Sequence, residues 1–395
     1  MRRALLLFPL LLGCGEAFLP ETVVVDLRVL GIQAEPAELR PGEAATLTAL
    51  VKDPSRAAPP TIVWLGCDPD PFGLGRSACS NPTVLQDLAS AGSSGTLPEG
   101  IHLIGFNEQA RYSVSKDLFS VLPEGDPRRL KGTVGQVLAL AVADTVPPDK
   151  LGDVFKKVQS GEVKAVVALF RIVVREGEMR NTNPVPSRLL VGGEVIAPGA
   201  HALVKQGVDS PVVLEATEAS FEPYQQTQPD GTVESKTERL ISAWYSTSGR
   251  FSQPRLALDS DVEDRFSPPG GEEPKDPLPE SREGQLFVVL RDARGGNAFR
   301  ESAFYVCDEG RARPVVRTVT SPASRDDAVV LEGDHLEELL DVVAGPLALE
   351  KPFLDGTTGK LSVRIPKGLA KGDYPLSLRG KDCSRTSAPM SLVVP

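Results

Sequence analysis

Histidine and methionine are scarce, at three each in 395 residues, and aromatic residues make up only 5%. No apolar run reaches the 18 or more residues that a membrane-spanning helix needs. Positive charge is also the minority, with 43 Lys and Arg against 53 Asp and Glu and a net charge of −10. Phosphate binding needs concentrated positive charge, so a nucleic-acid partner is disfavoured. The chain has no GxSxG elbow, HExxH pair, Walker loop or GxGxxG turn, and therefore none of the common hydrolase or nucleotide-binding signatures. His102, His201 and His335 fall in separate strand or loop contexts, which gives no support for a triad. No aromatic ladder marks a sugar-binding face.

What is abundant is turn chemistry. Gly 36 and Pro 35 together make up about 18% of the chain, above the usual ~12%. With 41% hydrophobic and 24% charged residues, the composition is that of a folded protein of several domains rich in short strands.

The first fourteen residues, MRRALLLFPLLLGC, combine basic Arg2 and Arg3 with an apolar stretch from Ala4 to Leu12. That stretch is too short to span and reads as a secretory signal. Its ending, Leu11-Leu12-Gly13-Cys14, resembles a bacterial lipobox. The resemblance implies cleavage after residue 13, lipid on Cys14 and a membrane held through that lipid, with 14–21 as a short tether. Gly15 is not an aspartate-type retention signal, so the expected address is the outer membrane. With Cys14 so assigned, Cys67, Cys79, Cys307 and Cys383 remain, an even number in an exported chain. Cys67 and Cys79 bracket one short Pro/Gly-rich loop and are expected to pair, which leaves Cys307 for Cys383. The four lack CxxC spacing and neighbouring histidine, which argues against zinc.

Alternating apolar and polar residues predict strands in VVVDLRVLGIQAEP, EAATLTALVKDP and PPTIVWLGC, and again in VGQVLALAVAD and EVKAVVALFRIVVRE. Leu151, Val154, Phe155 and Val158 recur at helical spacing, with Asp149 as the expected cap and Gly161 as the stop. A short helix is also expected around Val84, Leu85 and Leu88. The stretch 181–187 reads as a linker, and the strand grammar then repeats around Trp244, with 267–284 as a loop inside that second unit. Trp64 and Trp244 are each expected to fill the space between two sheets, as in an immunoglobulin-like core. The fold class expected is therefore all-β, tandem Ig-like sandwiches with one short helical insertion, over 22–180, 188–310 and 312–395.

The segments RVLGIQAEPAELRPGEAATLTALVKDP, AWYSTSGRF and VVLRDARGG resemble the Ig-like lipoproteins of myxobacteria and related Gram-negative bacteria. In the last unit Val329, Leu331, Gly333 and Leu336, then Val363, Ile365, Pro366, Gly368, Gly372, Tyr374, Leu376 and Leu378, resemble an IPT/TIG domain. These likenesses imply sandwiches, envelope protein partners and no shared catalytic chemistry. Gly333 and Gly372 are expected in tight turns.

Candidate site residues are few. Asp259, Asp261, Glu263 and Asp264 form an acidic loop that could offer oxygens to calcium, although position six is Asp264 and position twelve Gly270, unlike an EF-hand. Asp68 and Asp70 sit in the small cystine loop. Arg291 to Gly296 reads as a hairpin turn with its glycines at positive φ. Phe221, Tyr224 and the loop 222–237 are the expected exposed contacts. The function these features favour is a non-enzymatic envelope lipoprotein for adhesion, scaffolding or assembly of an envelope or motility complex. The alternative is a polysaccharide- or peptide-processing surface protein, or its glycan-binding accessory, with a site in the irregular 81–130.

Overall fold

The computed structural model describes residues 20–395 apart from 75, 85, 89, 91–96, 148–149, 178–179, 228–231 and 272–275. Cys14, the signal segment, Leu85 and Asp149 lie outside the described residues. The chain is an all-β protein of packed sheets with a few short helices among the described residues, in three successive units. No helix among the described residues is long and apolar enough to cross a membrane.

In the first unit eight strands form one sheet. Its order is Arg28–Glu35, Ala44–Lys52, Gln109–Ser113, Ile101–Phe106, Thr61–Cys67, Thr133–Val142, Ala165–Val174 and Glu38–Leu39. Ile32 from the first strand and Ile172 and Val174 from the seventh share one core with Trp64, so the sheet folds back on itself. Strand Thr133–Val142 is buried on both faces because alternate residues point opposite ways. Val137 and Ala139 join Trp64. Leu138, Leu140 and Val142 meet Val154 and Phe155 of helix Leu151–Ser160, together with Val84, Leu88 and the cystine. Lys150 stands at that helix's N-cap without a side-chain cap, and Gly161 ends it at φ 74°.

The second unit has two five-stranded sheets. One holds Pro186–Val191, Ser210–Ala216 and Asp264–Ser267; the other holds Glu283–Arg291, Asn297–Val306 and Ile241–Ser246. Trp244, Phe251, Phe266 and Phe304 stack through the core at centroid spacings of 5.5, 5.1 and 5.0 Å. The first strand begins at Pro186, inside the stretch expected as a linker, and Asn181 and Asn183 ahead of it are bonded to the units on either side. Strands Asp264–Ser267 and Glu283–Arg291 flank 267–284 within this one unit.

The third unit packs two four-stranded sheets and the pair Gly372–Tyr374 with Leu392–Val394 over one apolar core that includes Val329, Leu331, Val363, Leu376 and Leu378. Neither Gly333 nor Gly372 has positive φ. Gly333 lies inside strand Val329–Asp334, where a Cβ would stand 1.8 Å from the Val315 carbonyl oxygen. Its requirement is close backbone approach, not the expected turn.

The three sandwiches are docked. Leu30 and Leu50 of the first pack on Phe287 and Val289 of the second, and Lys52 reaches Glu301 at 2.5 Å. Between the second and third, Cys307 bonds Cys383, and Val343 and Ala348 enter the second unit's core. Asp341 accepts the His201 amide at 2.7 Å and faces its imidazole at 2.9 Å. Buried Arg379 donates to the His201 carbonyl at 2.6 Å and lies 3.3 Å from Glu194.

Candidate functional site

The loop 222–237 is an arm. Tyr224, Val233 and the threonines favour extended backbone, and Pro223–Thr227 pairs antiparallel with Val233–Thr237, Tyr224 opposite Lys236. This two-stranded sheet joins neither sheet of the second unit. Pro223, Gln225, Gln226, Val233, Ser235 and Thr237 are exposed.

Its base is fixed by charge. Glu222 accepts the Thr182 hydroxyl, and the Glu238 amide closes the hairpin on the Glu222 carbonyl at 2.9 Å. Arg294 lies between the two carboxylates, 3.6 Å from Glu222 and 3.2 Å from Glu238, with its guanidinium 5.3 Å from the centre of the Tyr224 ring. Arg294 is itself held by its turn. Asp292 Oδ1 accepts the amides of Arg294, Gly295 and Gly296 at 2.7, 2.7 and 2.8 Å, and Oδ2 accepts Asn181 Nδ2 at 3.1 Å. Asn181 donates its own amide to Glu38, which pairs with Arg175 in the first unit. A continuous polar chain thus runs from the arm through the Asp292 turn to the first sandwich.

Glu238 is the titrating member. Its side chain is 1% exposed, and its Oε1 makes no hydrogen bond even though Arg294 is near. Burial, with smaller contributions from the charges of Asp292 and Glu222, raises its pKa to about 7, against the opposing pull of Arg294. Burial likewise raises Asp292, partly offset by the amides it accepts.

The expected exposed contacts fall as follows: Phe221 is 37% exposed at the foot of the arm, and Tyr224 is half-buried on Arg294. In the turn, Gly295 has φ 109° but Gly296 does not have positive φ; a Cβ on Gly296 would strike Asp292. The acidic loop does not converge on a cation. Asp264 turns inward to bond Ser252 Oγ and the Gln253 amide, Asp259 pairs with Arg239, and Glu263 pairs with Arg265, while Asp261 stays exposed. Among the described residues no group of three His, Cys, Asp or Glu side chains is placed to hold a metal. Each histidine faces one carboxylate at a different place: His102 with Asp68 at 3.1 Å, His201 with Asp341, and His335 with Glu337 at 3.5 Å. Asp70 caps its own loop. The cystines are Cys67–Cys79 and Cys307–Cys383. Strand alternation did not single out Asn181, Glu238 or Arg294; the one available signal was Asp292 two residues before Arg294-Gly295-Gly296, the pattern of an Asp-capped turn.

No protein-family model matches the chain, and no curated protein matches it significantly. Among solved structures it is similar to the Bacteroides ovatus mixed-linkage glucan utilization locus protein SGBP-B in complex with a heptasaccharide. The two are 15% identical over 53% of this chain and 48% of that one, at a TM-score of 0.19, so this chain spans about half that protein's length. It is also similar to extracellular domains 3–5 of Drosophila OTK, with 12% identity over 94% and 100% of the chains and a TM-score of 0.16. The Ig1-2 module of the Drosophila receptor phosphatase DLAR is 13% identical over 72% and 100%, with a TM-score of 0.20.

Proposed function

We propose that this chain is a non-enzymatic lipoprotein of the outer envelope, held by lipid on Cys14, that serves adhesion, scaffolding or assembly of an envelope complex. The observation that carries the reading is the arm at 223–237, which stands apart from both sheets while its base is fixed to two units. Such a paired ribbon, joined to neither sheet of its unit, is the kind of edge to which an extended strand of a protein partner adds. Docked sandwiches suit this role, because a partner then meets a surface already ordered before contact. His201, Asp264 and Asp292 support it too, since each is engaged in holding a junction or a turn.

The anchor is tested by Cys14→Ser. The variant is expected to leave the membrane fraction or to accumulate as an unprocessed precursor. A variant that stays with the envelope at the normal mature mass contradicts the lipid assignment.

A further inference from the structure

The outer face of the first unit's sheet carries a cavity of about 440 Å³ beside the loop that follows Cys67. Register builds its wall: Gln136 lies opposite Arg171 and Val134 opposite Val173, so these side chains project from one face. Three groups lining it have no partner among the described residues. Lys131 and Arg171 make neither an ion pair nor a side-chain hydrogen bond there. Ser77 is 7% exposed, and its hydroxyl has no hydrogen-bond partner. A buried hydroxyl without a partner is costly, and so is ready to bond an incoming group.

The acid in the lining does not cancel the cations. Asp70 directs its carboxylate to the amides of Phe72, Leu74 and Arg76, at 3.0, 2.8 and 3.2 Å. Ser80 and Gln136 bond each other at 2.7 to 2.9 Å. Phe72, 43% exposed, lies in the same loop, with Arg128 over its ring at 5.9 Å.

We propose that this cavity binds an acidic sugar. A carboxylate or phosphate sits between Lys131 and Arg171, the Ser77 hydroxyl bonds a ring oxygen or hydroxyl, and Val134 and Val173 supply the apolar wall. The cavity is larger than a bare anion requires and mixes charged, hydroxyl and apolar walls, as small-molecule sites do. This site is independent of the arm and of the anchor, so its failure leaves the proposed function standing.

Calorimetry on the purified full chain tests it with oligogalacturonate, glucose 6-phosphate, neutral maltotetraose and phosphatidylglycerol vesicles. Binding of oligogalacturonate assigns the anion as carboxylate, and binding of glucose 6-phosphate assigns it as phosphate. Affinity is expected to fall at least tenfold in Lys131→Ala/Arg171→Ala and severalfold in Ser77→Ala, with unchanged melting and an intact Cys67–Cys79 bond. Maltotetraose is expected not to bind. The proposal is overturned if neither acidic probe binds, if maltotetraose binds equally, if the variants bind as well as the parent, or if only the vesicles bind.

Discussion

The Val24 amide donates to the Ser246 carbonyl at 2.7 Å, and the Ser246 amide returns a bond of 2.9 Å to Thr22. The two residues belong to different units. Strand Arg255–Ala257 covers the edge of Ile241–Ser246 only as far as Ala243, and residues 22–24 take up the remainder in parallel. Val24 is fully buried against Leu30, Phe287 and Val289. The start of the described chain therefore completes the second sandwich before it enters the first.

Replacing Val24 with proline removes the donor and disturbs this edge. The expected cost is about 3 kcal/mol to the second unit, read by chemical denaturation. Hydrogen exchange at the Ser246 amide is expected to speed up in step. An unchanged midpoint together with unchanged exchange contradicts the pairing.

Both tryptophans are expected to emit at short wavelength and to resist iodide, since Trp64 and Trp244 are 0% and 1% exposed. Trp64 also donates its indole N–H to Asn107 at 2.8 Å. Either Trp→Ala change is expected to cost ~3–5 kcal/mol in its own unit. A red-shifted, readily quenched Trp244 contradicts the packing of the second core.

Glu238 gives a pH signature. Burial raises its pKa from 4.5 to about 7, so between those values the folded chain holds a proton that the unfolded chain has released. Unfolding free energy from this group therefore falls as pH rises through that window. Glu238→Gln removes the slope and is expected to stabilise the chain on the order of 2 kcal/mol at pH 8, with little effect below pH 4.5. Parallel stability–pH curves for the two proteins contradict the assignment.

Much of the fold was legible where one face of a strand is buried. Ala45 and Leu47 alternate with polar neighbours in strand Ala44–Lys52 and are both fully buried, whereas Val25, expected on the buried face of the preceding run, is exposed because the first strand begins only at Arg28. Strand Thr133–Val142 was legible as a strand, but not its burial on both faces, because that depends on helix Leu151–Ser160 arriving from elsewhere in the chain. Gly333 reads as a turn residue in sequence because a glycine needed for close approach and one needed for positive φ look the same there. The arm was legible as an exposed loop around Tyr224. Its base was not, since Glu238 meets Arg294 and Asn181 meets Asp292 only when separate stretches of the chain come together in the fold.

The central claim is that the arm at 223–237 is the protein-contacting element of an envelope scaffold. It is tested most directly by affinity capture from detergent-solubilised envelope, comparing the intact chain with one in which a short Gly-Ser turn replaces 223–237. The account predicts a stoichiometric protein partner retained by the intact chain and lost from the shortened one, with both chains melting alike in their three units. Equal retention by the shortened chain, or an intact chain that retains glycan and no protein, contradicts it.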